Sequence, residues 1–388
     1  MFKKSLVAVA VLGAAAFSAQ AADVTLYGII DTGLGYTNKD VGHGDDVSTF
    51  DMRTGQNSAS RFGIKGEEDL GNGLKVGFSL ENGFNSDDGA LTTDGRLFDR
   101  EALLYVASDF GELGMGRQGE MASGNGRYGL FGGKVSPFST GWSDIAGHKY
   151  VMGAGFGRMD NAVTYKTPTF AGVNVLAQYS FKKDNKSEAY GSDIEDNDNY
   201  ESTWSDQREN SAAVDRQYAL GASFTAGDLY LTGIVTQTNL ASNGNGAQAN
   251  VDDPLTVSLG GNYDFGVAKL YVATQYFKDS GLAVAAIEKK NAGAKFDGFG
   301  LTVGADVPAL GGTAKVLVGY MDAEDQGTAA MDMQRYTFSV GYEYPLSKRT
   351  FVYGGAGYYM DSYDKVADKT WDDKASVAAV NLGLVHKF

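Results

Sequence analysis

Long stretches of this chain alternate apolar and polar residues with a period of two, which suits an extended strand with one greasy and one wet face. Leu255, Val257, Leu259 and Tyr263 oppose Thr256, Ser258, Gly260 and Asn262. Tyr336, Phe338, Val340, Tyr342 and Tyr344 oppose Arg335, Thr337, Ser339, Gly341 and Glu343. A third run sets Val173, Val175, Ala177, Tyr179 and Phe181 against Asn174, Gln178, Ser180 and Lys182. A soluble antiparallel sandwich has strands of the same kind, so alternation alone leaves two architectures open. The connections separate them. Brief turns (69–73, 168–172, 225–228, 264–266, 308–312, 345–348) alternate with long polar stretches (38–57, 85–95, 119–157, 183–215, 240–253, 280–294). Short turns at one end and long loops at the other are the arrangement of outer-membrane barrels.

The segments number about sixteen, from 24–37 to 376–388, and leave no room for a second domain. The expected fold is all-β, a closed transmembrane antiparallel barrel over residues 22–388. Closure is forced because hydrocarbon offers no partner to an unpaired backbone group. About sixteen strands make a ring too wide for side chains to fill, so the interior becomes a conduit. Composition agrees: 53 glycines, 22 tyrosines and 21 phenylalanines with five prolines suit many short strands with aromatic ends. Four prolines fall at strand starts or turns, where a missing N–H costs no ladder bond, and Pro137 falls in a loop.

Lys3 and Lys4, the apolar run 6–17 and Ala19-Gln20-Ala21 read as a cleaved export signal over residues 1–21. The run is too short to span a bilayer as a helix. The chain has no cysteine, which suits passage through an oxidising periplasm. Without Lys3 and Lys4, 31 basic residues face 48 acidic ones, for a net charge of −17, and nucleic acid is excluded as a partner.

The run from Ser60-Arg61-Phe62-Gly63-Ile64-Lys65-Gly66-Glu67-Glu68-Asp69 to Leu74-Lys75 resembles the second and third strands of the trimeric general porins of Gram-negative bacteria, in particular the β-proteobacterial branch. Gly95-Arg96-Leu97-Phe98-Asp99-Arg100-Glu101-Ala102, Gly114-Met115-Gly116-Arg117-Gln118, Asp23-Val24-Thr25-Leu26-Tyr27-Gly28 and the terminal His386-Lys387-Phe388 extend the likeness. The resemblance implies a sixteen-stranded homotrimeric barrel in the outer membrane, in contact with lipid bilayer and lipopolysaccharide. It also implies a third loop folded into the lumen, here 119–157, and a terminal Phe388 read by the barrel-assembly machinery. The family's short Pro-Glu-Phe loop motif is absent, and Pro137-Phe138-Ser139-Thr140 stands nearest to it. The implied function is passive diffusion of small hydrophilic solutes and ions. A substrate-selective channel of the same fold is the alternative, and a catalytic or adhesive barrel a more remote one.

Inward-facing charge sets what such a channel passes. Arg61 and Lys65 alternate with Phe62 and Ile64, Arg100 is opposite in parity to Leu103 and Tyr105, and Arg158 opposes Val163 and Tyr165. These four are expected in the lumen, and the three arginines match the positions of the family's basic arc. Glu120 and Asp144 are the candidate acids on the facing loop. Arg117 shares parity with Leu113 and Met115 and is expected at a rim or subunit contact. Asp193, Glu195, Asp196 and Asp198 form an acidic external run suited to hard cations such as calcium or magnesium, bridged to lipopolysaccharide phosphates, although it lacks EF-hand spacing. No other cofactor is expected. Against catalysis, the chain has three histidines, His43, His148 and His386, and neither a Gly-x-Ser-x-Gly elbow nor a His-Glu-x-x-His motif. Gly124-Asn125-Gly126-Arg127-Tyr128-Gly129 spells a dinucleotide fingerprint with no βαβ unit around it, and a flexible inward loop is the expected reading. Tyrosine and phenylalanine near strand ends predict girdles at both membrane interfaces.

Overall fold

In a computed structural model of the chain, the described residues are 24–42, 44–145, 147–185, 209–210, 214–241, 252–284, 295–326, 332–364 and 373–388. Residues 1–21, expected to be an export signal, lie outside them. The first strands are β1 (Thr25–Asp40), β2 (Val47–Thr54), β3 (Arg61–Gly71), β4 (Leu74–Gly83), β5 (Glu101–Ser108) and β6 (Gly111–Gly119). Next come β7 (Arg158–Lys166), β8 (Val173–Ser180), β9 (Arg216–Ala226), β10 (Leu229–Asn239), β11 (Leu255–Asp264) and β12 (Lys269–Ser280). The ring is completed by β13 (Phe296–Ala309), β14 (Gly312–Asp325), β15 (Asp332–Pro345), β16 (Thr350–Asp364) and β17 (Lys374–Lys387).

Every pairing is antiparallel, and these segments build sixteen staves. β2 lies beside the far half of β1, from Thr32↔Thr54 to Lys39↔Val47, while β3 lies beside its near half, from Thr25↔Lys65 to Ile29↔Arg61. The two are halves of one stave interrupted at 55–60. The Asp31 carboxylate secures the break by accepting from the Asn57 and Ser58 amides at 2.8 and 2.7 Å. The ring closes where β1 meets β17, in register from Ile29↔Lys387 to Asp40↔Ser376. Gly28 and Phe388 then exchange backbone hydrogen bonds of 3.1 Å in both directions. A Cβ at Gly28 would collide with the Phe388 ring, so this end of the seam requires glycine.

The period-two pattern becomes the wall. Along β15, Tyr336, Phe338 and Val340 face outward and are exposed, whereas Arg335, Thr337 and Ser339 face inward and are buried. In hydrocarbon the exposed set is the favourable one. The aromatic bands run along the rims, with Tyr263 packed on Phe265 at 4.5 Å and Tyr179 on Phe181 at 4.8 Å between ring centres. At the short end, the β3–β4 turn puts Gly71, Asn72 and Gly73 at φ of 83°, 53° and 75°, which glycine and asparagine tolerate.

A barrel this wide has no core of its own. Its buried apolar residues lie where the β6–β7 connection folds inward and packs on the inner wall. Phe138, Trp142 and Ile145 from that loop meet Leu317 and Tyr353, and Val151 meets Phe277, Met321 and Met333.

Candidate pore constriction

The inward loop runs from 120 to 157 and contains two single 3-10 turns, Gly132–Lys134 and His148–Val151. It can lie against the wall because inward positions beneath it are glycines. A Cβ at Gly300 would run into the Val151 carbonyl, and one at Gly341 would sit 2.8 Å from the Phe138 ring. With those positions bare, Phe138, Ile145, Val151 and Met152 become fully buried, at about 1.5–3 kcal/mol for each large apolar side chain removed from water.

Charged side chains fix the loop's edges. Arg335 is wholly buried and donates to the Asp361 carboxylate through Nε and Nη2 at 2.5 and 2.7 Å. Its Nη1 donates to the Tyr150 carbonyl of the loop at 3.0 Å. Glu120 is buried against Lys183 at 2.9 Å and accepts from the Gly157 amide at 3.3 Å. Asp144 accepts from Thr37 Oγ1 at 2.9 Å and from Arg53 at 2.7 Å. Both loop acids expected to face the lumen therefore fasten the loop to the wall. Parity has no meaning in an irregular segment, so sequence position could not orient them. His148 is enclosed between Phe131 and Phe156, with ring centres 5.7 and 5.2 Å away. Desolvation pushes its pKa down to about 3. The Gly124–Gly129 stretch, expected to be flexible, is tied down: the Arg127 amide donates to Glu101 at 3.1 Å and its guanidinium grips Glu112 at 2.5 and 2.7 Å.

Beside the loop the lumen narrows to a cavity of about 610 Å³. Its charged lining comprises Arg61, Arg100, Arg158, Lys149 and Lys315 with Glu81, Asp306 and Glu343. Arg100 donates to Glu81 at 2.6 Å, and Arg61 stands 3.6 Å from the same carboxylate. Arg158 Nε donates to the Arg100 carbonyl at 2.9 Å, so the three guanidinium groups line one arc from the first residue of β3, the residue ahead of β5 and the first residue of β7. Lys315 lies between Asp306 at 3.2 Å and Glu343 at 3.4 Å. Asn57, from the break in the first wall, donates to Glu343 at 2.9 Å. Lys149 comes from the loop itself; burial lowers its pKa, and the charge of Asp144 opposes that.

Arg61, Arg100 and Arg158 thus share one cavity, but parity accounts for Arg61 alone: Leu103 and Tyr105, expected to face lipid opposite Arg100, are themselves buried while Leu104 is exposed, Arg100 precedes β5, and an irregularity at Asn161 breaks the alternation between Arg158 and Val163. Lys65 is not among the cavity's lining residues; it sits lower on β3, with its ammonium 5.3 Å from the Tyr27 ring centre. Arg117 belongs to an ion cluster with Asp160 at 2.6 Å, which Arg96 joins at 2.9 Å. Glu81, Lys149, Asp306, Lys315 and Glu343 were not singled out in advance. Glu343 stood on the wet face of its strand all along; what the pattern lacked was the depth at which each charge sits. Asp193, Glu195, Asp196, Asp198 and His43 lie outside the described residues. His386 exchanges a 2.9 Å hydrogen bond with Thr350 on the outer rim. A groove of about 650 Å³ over Leu231, Leu259 and Leu270 is apolar and belongs to the lipid-facing wall.

A family model described as Gram-negative porin matches residues 8–364. An outer membrane porin protein of Bordetella pertussis is 35% identical over 416 residues, covering all of both chains. Outer membrane porin protein 32 of Delftia acidovorans is 31% identical over 366 residues, covering 92% of this chain and 89% of that one. Among solved structures, an anion-selective porin from Comamonas acidovorans superposes with a TM-score of 0.66 at 26% identity, covering 95% of this chain and all of that one.

Proposed function

The chain belongs to the Gram-negative porin family and is an outer-membrane porin channel, and on that premise we propose that its constriction favours small hydrophilic anions. The observation that carries this reading is the cavity's charge balance, five cations against three carboxylates, with the arginine arc on one wall and Asp306 and Glu343 on another. Guanidinium groups stay charged at any accessible pH. Opposed walls of charge order the water between them, so an apolar solute loses hydration without gaining contacts, while a small anion exchanges water for fixed donors. Glu81 tempers the arc: it holds Arg61 and Arg100 in place and cancels part of their field. The anion-selective character of the Comamonas acidovorans structure supports the same direction.

The test is the reversal potential of single channels in planar bilayers under a potassium chloride gradient. A potential on the chloride side of zero is expected, and one on the potassium side would overturn the reading. Saturating block by one sugar would instead favour a substrate-selective channel. The homotrimer expected from the family resemblance is part of the proposal, and light scattering in detergent measures it.

A further inference from the structure

Beneath the inward loop lies a second cavity of about 530 Å³ whose role the constriction does not account for. Its floor is made by the short turns, with Asp228 and Asp264 beside them, so it opens toward the periplasmic end. Its roof is the loop from Arg127 to Lys134, held there by Tyr230, which donates to the Leu130 carbonyl at 2.9 Å, and by Asn262, which donates to the Lys134 carbonyl at 2.7 Å.

Cations outnumber acids here as well. Arg127, Lys134, Lys166 and Lys269 line the cavity against the two aspartates. Arg127 is committed to Glu112. Among the described residues, none of the three lysines has a carboxylate within ion-pair distance. Lys134 donates to the Gly129 carbonyl at 2.9 Å and leans over the Tyr230 ring. Enclosure and, after it, the like charge of Lys166 lower the pKa of Lys134. Two ammonium groups that line one polar cavity from different elements, Lys134 from the loop and Lys166 from β7, make a complementary setting for a doubly charged anion. Gly133 lines both this cavity and the constriction, so the two meet at that residue, where an added Cβ would meet nothing within 4 Å.

We propose that the cavity under the loop is a second anion site, which takes small dianions such as phosphate or a dicarboxylate from the constriction at Gly133 and passes them to the periplasm. The proposal rests on the anion-channel reading and places two successive stations on the path, the condition under which bound ions can leave as others arrive.

The full-length protein is tested in planar bilayers by titrating its chloride current with inorganic phosphate. In the native channel phosphate is expected to reduce the current saturably. Lys134→Gln with Lys166→Gln should raise the half-blocking concentration about fivefold or more, the effect of one contact charge in water. Lys134→Arg with Lys166→Arg should leave it near the native value, which separates charge from fold. Gly133→Leu, whose Cβ has open space and whose branch adds bulk at the junction, should weaken the phosphate effect. An identical half-blocking concentration in the native and glutamine channels, or no saturable effect, would overturn the site. If the channel prefers chloride but phosphate block ignores the lysines, the site fails and the anion reading stands. If the channel prefers potassium while block still follows the lysines, the anion reading fails and the site stands.

Discussion

Replacing Glu81 with glutamine should make the channel more anion-selective, although the substitution adds no cation. Glu81 accepts from Arg100 at 2.6 Å and lies 3.6 Å from Arg61, and glutamine keeps an acceptor oxygen for the same donor. The main change is therefore one negative charge removed from a cavity with five cations and three carboxylates. For an ion passing ~6 Å away, one charge in water is worth about 0.7 kcal/mol. Screening at 0.1 M salt, with a Debye length of about 10 Å, brings this to roughly half. The effect has opposite sign for chloride and potassium, so it doubles in their ratio, and the permeability ratio should rise about threefold. Reversal potentials at 0.1 M and 1 M salt would measure it, with the smaller change at 1 M. An unchanged potential at both concentrations, or a shift toward potassium, would mean that ions do not feel the field of this arc.

Replacing Arg61 and Arg100 together with serine should widen the channel and shift selectivity toward cations; conductance and reversal potential both check it. Arg335→Met leaves Asp361 buried without its partner and should cost about 3–5 kcal/mol in denaturant unfolding in detergent, while Arg335→Met with Asp361→Leu should cost less. Gly300→Leu should displace the loop from the wall, read as red-shifted emission from Trp142 in a Trp204→Phe, Trp371→Phe background. His148 is held neutral, so an undocked loop binds the proton first: docking is at full strength above about pH 6.5 and weakens by about 2 kcal/mol on falling to pH 5. The Trp142 signal should follow that window, and His148→Phe should remove the pH dependence.

Strand residues were legible in advance because a strand has one rule. Once Phe62 is known to face lipid, Arg61 must face water. Parity did not place Arg100 or Arg158: Leu103 and Tyr105 turn inward under the loop, Arg100 precedes its strand, and the irregularity at Asn161 interrupts the alternation on the way to Arg158. Parity also set Tyr336 and Phe338 outside and Arg335 inside, though nothing in the pattern said that Arg335 would meet Asp361 beneath a loop. The loop acids were not legible: Glu120 and Asp144 sit in irregular backbone, where neighbours in sequence say nothing about direction. One signal went unread. Glycines at inward positions, Gly300, Gly341 and Gly355 among them, mark the track on which the loop lies.

By itself the sequence determined a closed ring with an apolar outside and a wet inside, because backbone in lipid must pair and side chains alternate from strand to lumen. Only the tertiary structure decided which charges share one depth. Strand tilt and the path of the inward loop bring Arg61 beside Glu81, set Glu343 against Asn57 and leave Lys65 below. Those positions depend on neighbours far apart in the chain, and it is their distances that set the field an ion crosses.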